Sequence, residues 1–272
     1  MTEISVIIPT LDHPDEVECL DYLEDGSFSD YEVQLRDEPT ATAARNAGIE
    51  RATADKLVFL DDDSRPREGY LAKMADLFEH EMAIAGRTVH PHDDVFGRHF
   101  TSHYDFGDKP RYVTRFWGCN MAVHRDVFDA VGRWDEGISW GHEELELAER
   151  VLTAAPIYYD PDLVVDHVYA DSVPDYLSKV YQQEQQQPYL WQKQGHSTST
   201  QWLTIVGDAL DLRNYVGVPL GPALLEGAGT VAKAGGRIGG MLRADTASEK
   251  PRDSGDDTGP TCQSPSLQSE WR

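Results

Sequence analysis

The sequence predicts an α/β fold with a mostly parallel central sheet and flanking helices. Three observations carry this. Short apolar runs recur and stop abruptly at Pro or acidic residues, as buried strands do. Helical periodicity fills the gaps between them. The strand–helix–strand spacing is that of layered α/β units. The regular pattern ends after His90.

Ile4 to Ile8 (ISVII) opens the chain as a buried strand closed by Pro9. Residues 15–23 read as a helix, and Tyr31 to Leu35 alternates as a second strand. Thr40 to Ala52 (TATAARNAGIERA) is Ala-rich and helical, with Thr40 placed to cap it. Lys56 to Leu60 is a third strand. Pro66 sits where a first helical turn would begin, and Arg67 to His80 carries helical periodicity. Met82 to Val89 reads as a fourth strand, and residues 91–115 as a long loop. A short helix follows at Asp126 to Val131 and a stronger one at Glu143 to Ala154. Ile157 to Tyr159 and Leu163 to Val165 are short strands. Pro174 to Gln194 is a polar, Gln-rich helix interrupted at Pro188. From about Gln201 small residues dominate, and their Gly content weakens 201–242 as a packed helix. This segment is expected to pack on the domain, or to lie against a partner or a membrane surface. Residues 244–272, rich in Ser, Asp, Pro and Gly, are expected to be a disordered tail. The expected division is a domain at 1–196, a helical extension at 197–243 and the tail.

The 272 residues carry 48 acidic against 24 basic side chains, a formal charge of −24. Nucleic acid is not an expected partner, because a phosphate backbone needs clustered Lys and Arg. At 40% hydrophobic the chain can build a real core. The excess of Asp and Glu resembles proteins of salt-loving archaea. Cys19, Cys119 and Cys262 lie far apart without CxxC spacing, which argues against a disulfide framework and a thiolate metal site. The opening MTEISVIIPT has no basic or long apolar region, so no signal peptide is expected. No run of about 18 apolar residues suggests a membrane span. The expected location is the cytoplasm.

The chemistry begins at LVFLDDDSRPREG, Leu57 to Gly69, where an apolar strand runs into Asp61, Asp62 and Asp63. In open α/β sheets, ligands bind beyond the carboxyl ends of the strands. Burying part of three adjacent like charges is costly unless something compensates them. A divalent cation does so, and oxygen ligands point to Mg2+ or Mn2+, which also take substrate phosphates. In extended backbone Asp61 and Asp63 point one way and Asp62 the other. Capping of the helix near Pro66 explains the same residues without a ligand. The triplet alone leaves both readings open.

Its context adds a resemblance. VIIPT (Val6 to Thr10), ARNAGI (Ala44 to Ile49) leading into LVFLDDD, GCNMAVHRDVFDAVGRWDE (Gly118 to Glu136), GHEELELAER (Gly141 to Arg150) and VDHVYADS (Val165 to Ser172) follow in order. Together they resemble a family 2 glycosyltransferase of the GT-A type, over roughly residues 3–196. The resemblance implies a Rossmann-like GT-A fold and inverting transfer of a sugar from a nucleotide-sugar donor to a hydroxyl.

It also implies roles. Asp61-Asp62-Asp63 matches the DxD motif: Asp63 would bind Mn2+ or Mg2+, and Asp61 would contact the donor's ribose or sugar. Glu143-Glu144 matches the family's acidic pair, with Glu144 as base and Glu143 as the alternative. The family usually has Asp at the second position, and acids at a helix start need no catalytic role. His167 would complete the metal shell. Pro9, Thr10 and Asp12 match the nucleoside-facing loop, and Asp37 the site of a base or ribose contact, although RDEPTA replaces the usual DDGS run. Arg45 and Asn46 fit the donor side, or are solvated on an Ala-rich helix. Gly118 and Asn120 match the loop between donor and acceptor, where Gly permits close approach. Trp117 and Trp140 either stack on a sugar or pack. Relatives often carry Arg in the region of the Gln-rich helix; here no cationic clamp is expected. Relatives in haloarchaea build glycans on lipid carriers. A glycan or lipid-linked acceptor is therefore expected, with 201–243 as a candidate peripheral contact on the cytoplasmic membrane face.

Two other readings remain. A haloacid-dehalogenase-like phosphotransferase would use Asp61 as nucleophile and Asp63 as acid/base. It wants Thr or Val where Arg65 stands. A non-catalytic sugar-nucleotide binder is motivated by Glu at the base position.

Overall fold

Strands that read as unbroken apolar runs must be buried on both faces, and the sheet is built that way. The computed structural model describes residues 2–24, 26 and 28–248. Its strands are β1 (Ile4–Pro9), β2 (Tyr31–Arg36), β3 (Lys56–Phe59), β4 (Arg65–Pro66), β5 (Ala83–Val89), β6 (Arg111–Val113), β7 (Met121–His124) and β8 (Ile157–Asp166). Its helices are α1 (Glu18–Glu24), α2 (Ala41–Arg51), α3 (Tyr70–Leu77), α4 (Val95–His99), α5 (Arg125–Val131), α6 (Glu143–Val151), α7 (Val173–Glu184), α8 (Gln187–Lys193), α9 (Thr198–Ala209) and α10 (Leu220–Ser248).

The strands form one sheet in the order β2-β1-β3-β7-β5-β8-β4, with β6 on β8. β1 is parallel to β2 and β3, and β5 to β8. β7 runs antiparallel between β3 and β5, and β4 and β6 run against β8. β1, β2, β3, β5 and β8 therefore point the same way, and their carboxyl ends share one edge. The expected α/β class, with most strands in one direction and a C-terminal helical segment, is what the chain adopts.

The period of two sorts the core. Val6, Ile8, Val58 and Leu60 pack with Leu71 and Met74 on one face. Ile7, Leu57 and Phe59 pack with Ile49, Phe128 and Leu147 on the other. So α3 covers the first face, and α2, α5 and α6 the second.

Several elements differ from expectation. The two strands expected at 157–159 and 163–165 are one strand, β8, with an irregular register opposite Gly86/Arg87. Pro66 belongs to β4, and α3 starts only after Gly69 at φ 78°. The expected loop 91–115 contains α4, where Asp94 accepts from the Phe96 and Gly97 amides, and β6. The Gln-rich helix breaks at 185–186, and Pro188 lies in the first turn of α8.

The C-terminal segment packs on the domain, one of the two expectations for it, but the reading of its glycines is overturned. Gly229, Gly236 and Gly240 form a packing face of α10 rather than weakening it. Gly236 and Gly240 lie against the backbone of α7 and the α7–α8 link, so close that a Cβ on either would overlap the carbonyl oxygens of Tyr181 and Gln185. Residues 244–248 of the expected tail continue α10; the rest of that tail lies outside the described residues. No helix among the described residues is long and apolar enough to cross a membrane.

Replacing Gly by Ala inside a helix ordinarily stabilises by up to about 1 kcal/mol. For Gly240→Ala the sign should reverse, with a loss of about 1–3 kcal/mol from overpacking. Chemical denaturation measures this, and a stabilised variant would contradict the packing described.

Candidate active site

The carboxyl edge of the sheet is where the chain turns polar. Thr10 follows β1, Glu38 follows β2, Asp61 follows β3 and His167 follows β8. A cavity of about 510 Å3 opens there.

Arg45 of α2 lines it, 3% exposed. Nη2 donates to Asp61 Oδ1 at 3.0 Å, and Nη1 donates to Glu143 Oε1 at 2.9 Å. The guanidinium carbon lies 4.8 Å from the Trp134 ring centroid. Small neighbours make room: a Cβ on Gly118 would sit 2.7 Å from Arg45 Nη2. Of the two readings of Arg45, the solvated one is excluded by its burial.

One wall is the acidic triplet. His167 Nε2 lies 3.2 Å from Asp63 Oδ1 and 3.8 Å from Asp61 Oδ2. Asp62 instead meets the Thr10 hydroxyl, and Thr10 Oγ1 accepts from the Asp12 amide at 3.0 Å. Burial pushes the Asp63 carboxyl up, but the hydrogen bond and charge of His167 outweigh it and hold it low. Burial would depress His167, yet its hydrogen bond to Asp63 and the charges of Asp63 and Asp61 hold it above its usual value. Burial, then the Asp61 and Asp63 charges, raise Asp62 despite Thr10.

This donor set fits the divalent cation that the resemblance implies. Imidazole nitrogen and carboxylate oxygens converge, and the buried Nδ1 of His167 has no partner among the described residues. Cys119 joins them: its Sγ, an Asp61 oxygen and a His167 nitrogen all lie within 4.8 Å of one another. Burial and the nearby carboxylates push its thiol well up.

The other wall is the start of α6. Glu143 is 5% exposed and tied to Arg45, while Glu144 lines the cavity. Burial and the adjacent Glu143 charge push Glu144 well above the usual glutamate range. Both are delivered by a strained turn. Gly141 (φ 85°) and His142 (φ 67°) are left-handed in succession, which costs a residue with a Cβ about 1–2 kcal/mol.

Pro9, Thr10, Asp12, Trp117, Gly118 and Trp140 also line the cavity. Asp37, Asn46 and Asn120 do not. Asp37 is exposed while Arg36 and Glu38 line the cavity, because alternate residues of an extended segment face opposite ways. Asn46 is occupied elsewhere: it donates to the Trp134 carbonyl and Glu136 and accepts from the Trp134 amide. Asn120 is fully buried, accepting from Tyr70 and donating to the Arg87 and Leu163 carbonyls.

Sequence reasoning missed Arg36, Glu38, Tyr104, Cys119, Lys179 and Gln183, all lining the cavity. For Arg36 and Glu38 the strand alternation was the available signal. The Gln run predicts no cation from α7, yet Lys179 is there, bonded to Asp175 and the Tyr169 carbonyl.

Residues 14–132 match the family model described as Glycosyl transferase family 2. The match covers under half of the chain and supports a glycosyltransferase. The layered fold matches the GT-A type. Among solved structures, one described as "Crystal structure of GalNAc-T7 with UDP, GalNAc and Mn2+" is similar at 14% identity and a TM-score of 0.48. The similarity covers 61% of this chain and 43% of that one, so this chain spans less than half of its length. No curated protein matches.

Removing the cation from a buried ion network costs about 3–5 kcal/mol, because the partners stay buried and unpaired. Arg45→Met should therefore lose stability on that scale. Asp61 and Glu143 would then lack the guanidinium that joins them. Denaturation curves measure the loss; a variant as stable as the wild type would contradict the network.

Proposed function

We propose that this chain is a metal-dependent, inverting hexosyltransferase that moves a sugar from a nucleotide-sugar donor to a hydroxyl acceptor. One observation carries the reading: the acidic triplet with His167 and the Glu143-Glu144 pair meet in one cavity, held together by Arg45. The segment match at 14–132 supports it.

In this reading the acceptor hydroxyl attacks the anomeric carbon from the face opposite the leaving group. The new carbon–oxygen bond forms as the bond to the phosphate oxygen breaks, and the nucleoside diphosphate departs. Glu144 takes the hydroxyl proton; Glu143 is the alternative base, although Arg45 already engages it. Asp63 and His167 would hold Mn2+ or Mg2+, with Asp61 beside them on the donor's ribose or sugar, and the bound cation would supply charge stabilisation to the leaving diphosphate. The imidazole suits Mn2+. Thr10, Asp12, Arg36 and Glu38 face the nucleoside.

Glu144 works as a base only when ionised. Its raised pKa makes kcat/KM fall as pH drops through a value above the ordinary glutamate range. Glu144→Gln should lower kcat by about 10²–10⁴-fold and abolish that acid limb. A limb unchanged in Glu144→Gln but lost in Glu143→Gln would reassign the base.

The donor side is tested by calorimetric titration of UDP, GDP and dTDP with and without Mn2+. One nucleotide should bind in a manganese-dependent way, and Asp63→Ala should abolish this. Failure of every nucleotide to bind would overturn the reading in favour of the phosphotransferase.

The acceptor is a glycan or lipid-linked hydroxyl, with 201–243 lying peripherally on the cytoplasmic membrane face. Leu203, Leu210, Leu212, Val216 and Leu220 are each more than 70% exposed there. The full chain should sediment with liposomes in high salt, and paired Leu210→Glu and Leu212→Glu substitutions should release it. Sedimentation indifferent to them would remove the membrane contact.

A further inference from the structure

The family match ends at residue 132, and the turn that presents the two glutamates lies beyond it. Trp140, Gly141, Glu143 and Glu144 all line the cavity; His142, in their midst, does not. His142 holds a left-handed backbone that glycine would adopt without strain. Something about its side chain must therefore matter. Its imidazole is directed into the protein, where Nε2 is buried without a partner among the described residues. Burial depresses its pKa, and the charges of Glu184, Glu143, Arg237 and Lys233 also act on it.

Three of those charges, Glu184, Arg237 and Lys233, belong to α7 and α10. Glu184 ends α7 and is 6% exposed; Arg237 of α10 is 7% exposed. Arg237 Nε donates to Glu184 Oε2 at 2.6 Å, and its Nη1 donates to Asp208 Oδ2 of α9 at 2.6 Å. Its guanidinium carbon lies 5.1 Å from the Trp191 ring centroid. One residue before Glu184, Gln183 presses on the same turn: a Cβ on Gly141 would sit 2.6 Å from Gln183 Cγ and 2.8 Å from its Cα. The glycine face lets α10 approach α7 closely, and a buried charge pair can fix one register where glycine contacts are tolerant.

We propose that His142 and the Arg237–Glu184 pair are positioning residues, a joint through which α10 fixes the turn at 141–142 and hence the placement of Glu143 and Glu144. The proposal rests on the reading of those glutamates as the base. It makes the C-terminal helices part of the catalytic apparatus, whatever surface they also touch.

The test uses the full chain with His142→Gly and Arg237→Met, and with His142→Asn and Arg237→Lys as conservative partners. Asn tolerates the left-handed region. Three quantities are read: melting temperature, the split between kcat and donor KM, and hydrogen exchange of the 141–145 amides. His142→Gly relieves strain, so its melting temperature should hold or rise. Its kcat should nevertheless fall about tenfold or more, as misplaced catalytic groups do, with donor KM little changed. Exchange at 141–145 should rise in His142→Gly and Arg237→Met, and the conservative variants should recover part of kcat. Wild-type kcat and wild-type exchange in His142→Gly would overturn the proposal. So would unchanged exchange at 141–145 in Arg237→Met, even if that variant melts lower. A wild type that turns over no donor would fail the functional reading alone, and the exchange data would still decide the joint by the same criterion.

Discussion

The structure depends on one buried guanidinium. Taking Arg45 out of water is expensive, and only close carboxylates can repay it. Two do so, from distant parts of the chain: Asp61 at the end of β3 and Glu143 at the start of α6. Neither element touches the other in sequence, and the arginine obliges them to meet. Much else follows from making room for it. Ala44 and Gly118 are small beside it, and Trp134 supplies a π face. The strained turn at Gly141 and His142 brings Glu143 into reach.

Charge within the site is only partly offset, as in the strongly acidic chain as a whole. Arg45 neutralises one oxygen of Asp61 and one of Glu143, and His167 leans on Asp63 and Asp61. Glu144 has no cation bonded to it among the described residues, and burial and the adjacent Glu143 charge drive its carboxyl up. Two adjacent glutamates thus meet different surroundings: Glu143 is bonded to Arg45, while burial and its neighbour's charge drive Glu144 up. The same division of labour recurs in the triplet, where Asp62 turns to Thr10 while its neighbours share the histidine.

Much of this was legible in the sequence, for definite reasons. β1 and β3 are buried on both faces, so their apolar runs announce them. The triplet and the HEE stretch are charged where a core would not tolerate charge without a purpose. What was not legible depends on long-range packing. β6 and β7 are three and four residues long and run antiparallel, too short for a period to show. The glycines of α10 read as weakness because propensity counts the missing side chain and cannot count the backbone that fills its place. Asp37 stands where the resemblance puts a base or ribose contact, while strand alternation turns Arg36 and Glu38 to the cavity instead. Asn46 and Asn120 carry the right chemistry, but their hydrogen bonds are already taken by the fold. Cys119 gives no signal by spacing; only the fold carries it to His167.

The most direct test of this account asks whether Asp61 and Glu143 are coupled through Arg45. A double-mutant cycle of Asp61→Asn and Glu143→Gln, read by denaturation at neutral pH, measures it. Shared dependence on one buried cation predicts a coupling of about 0.5–3 kcal/mol. Effects that add to within about 0.3–0.5 kcal/mol would contradict it, leaving the triplet and the glutamates as independent acidic groups that happen to border one cavity.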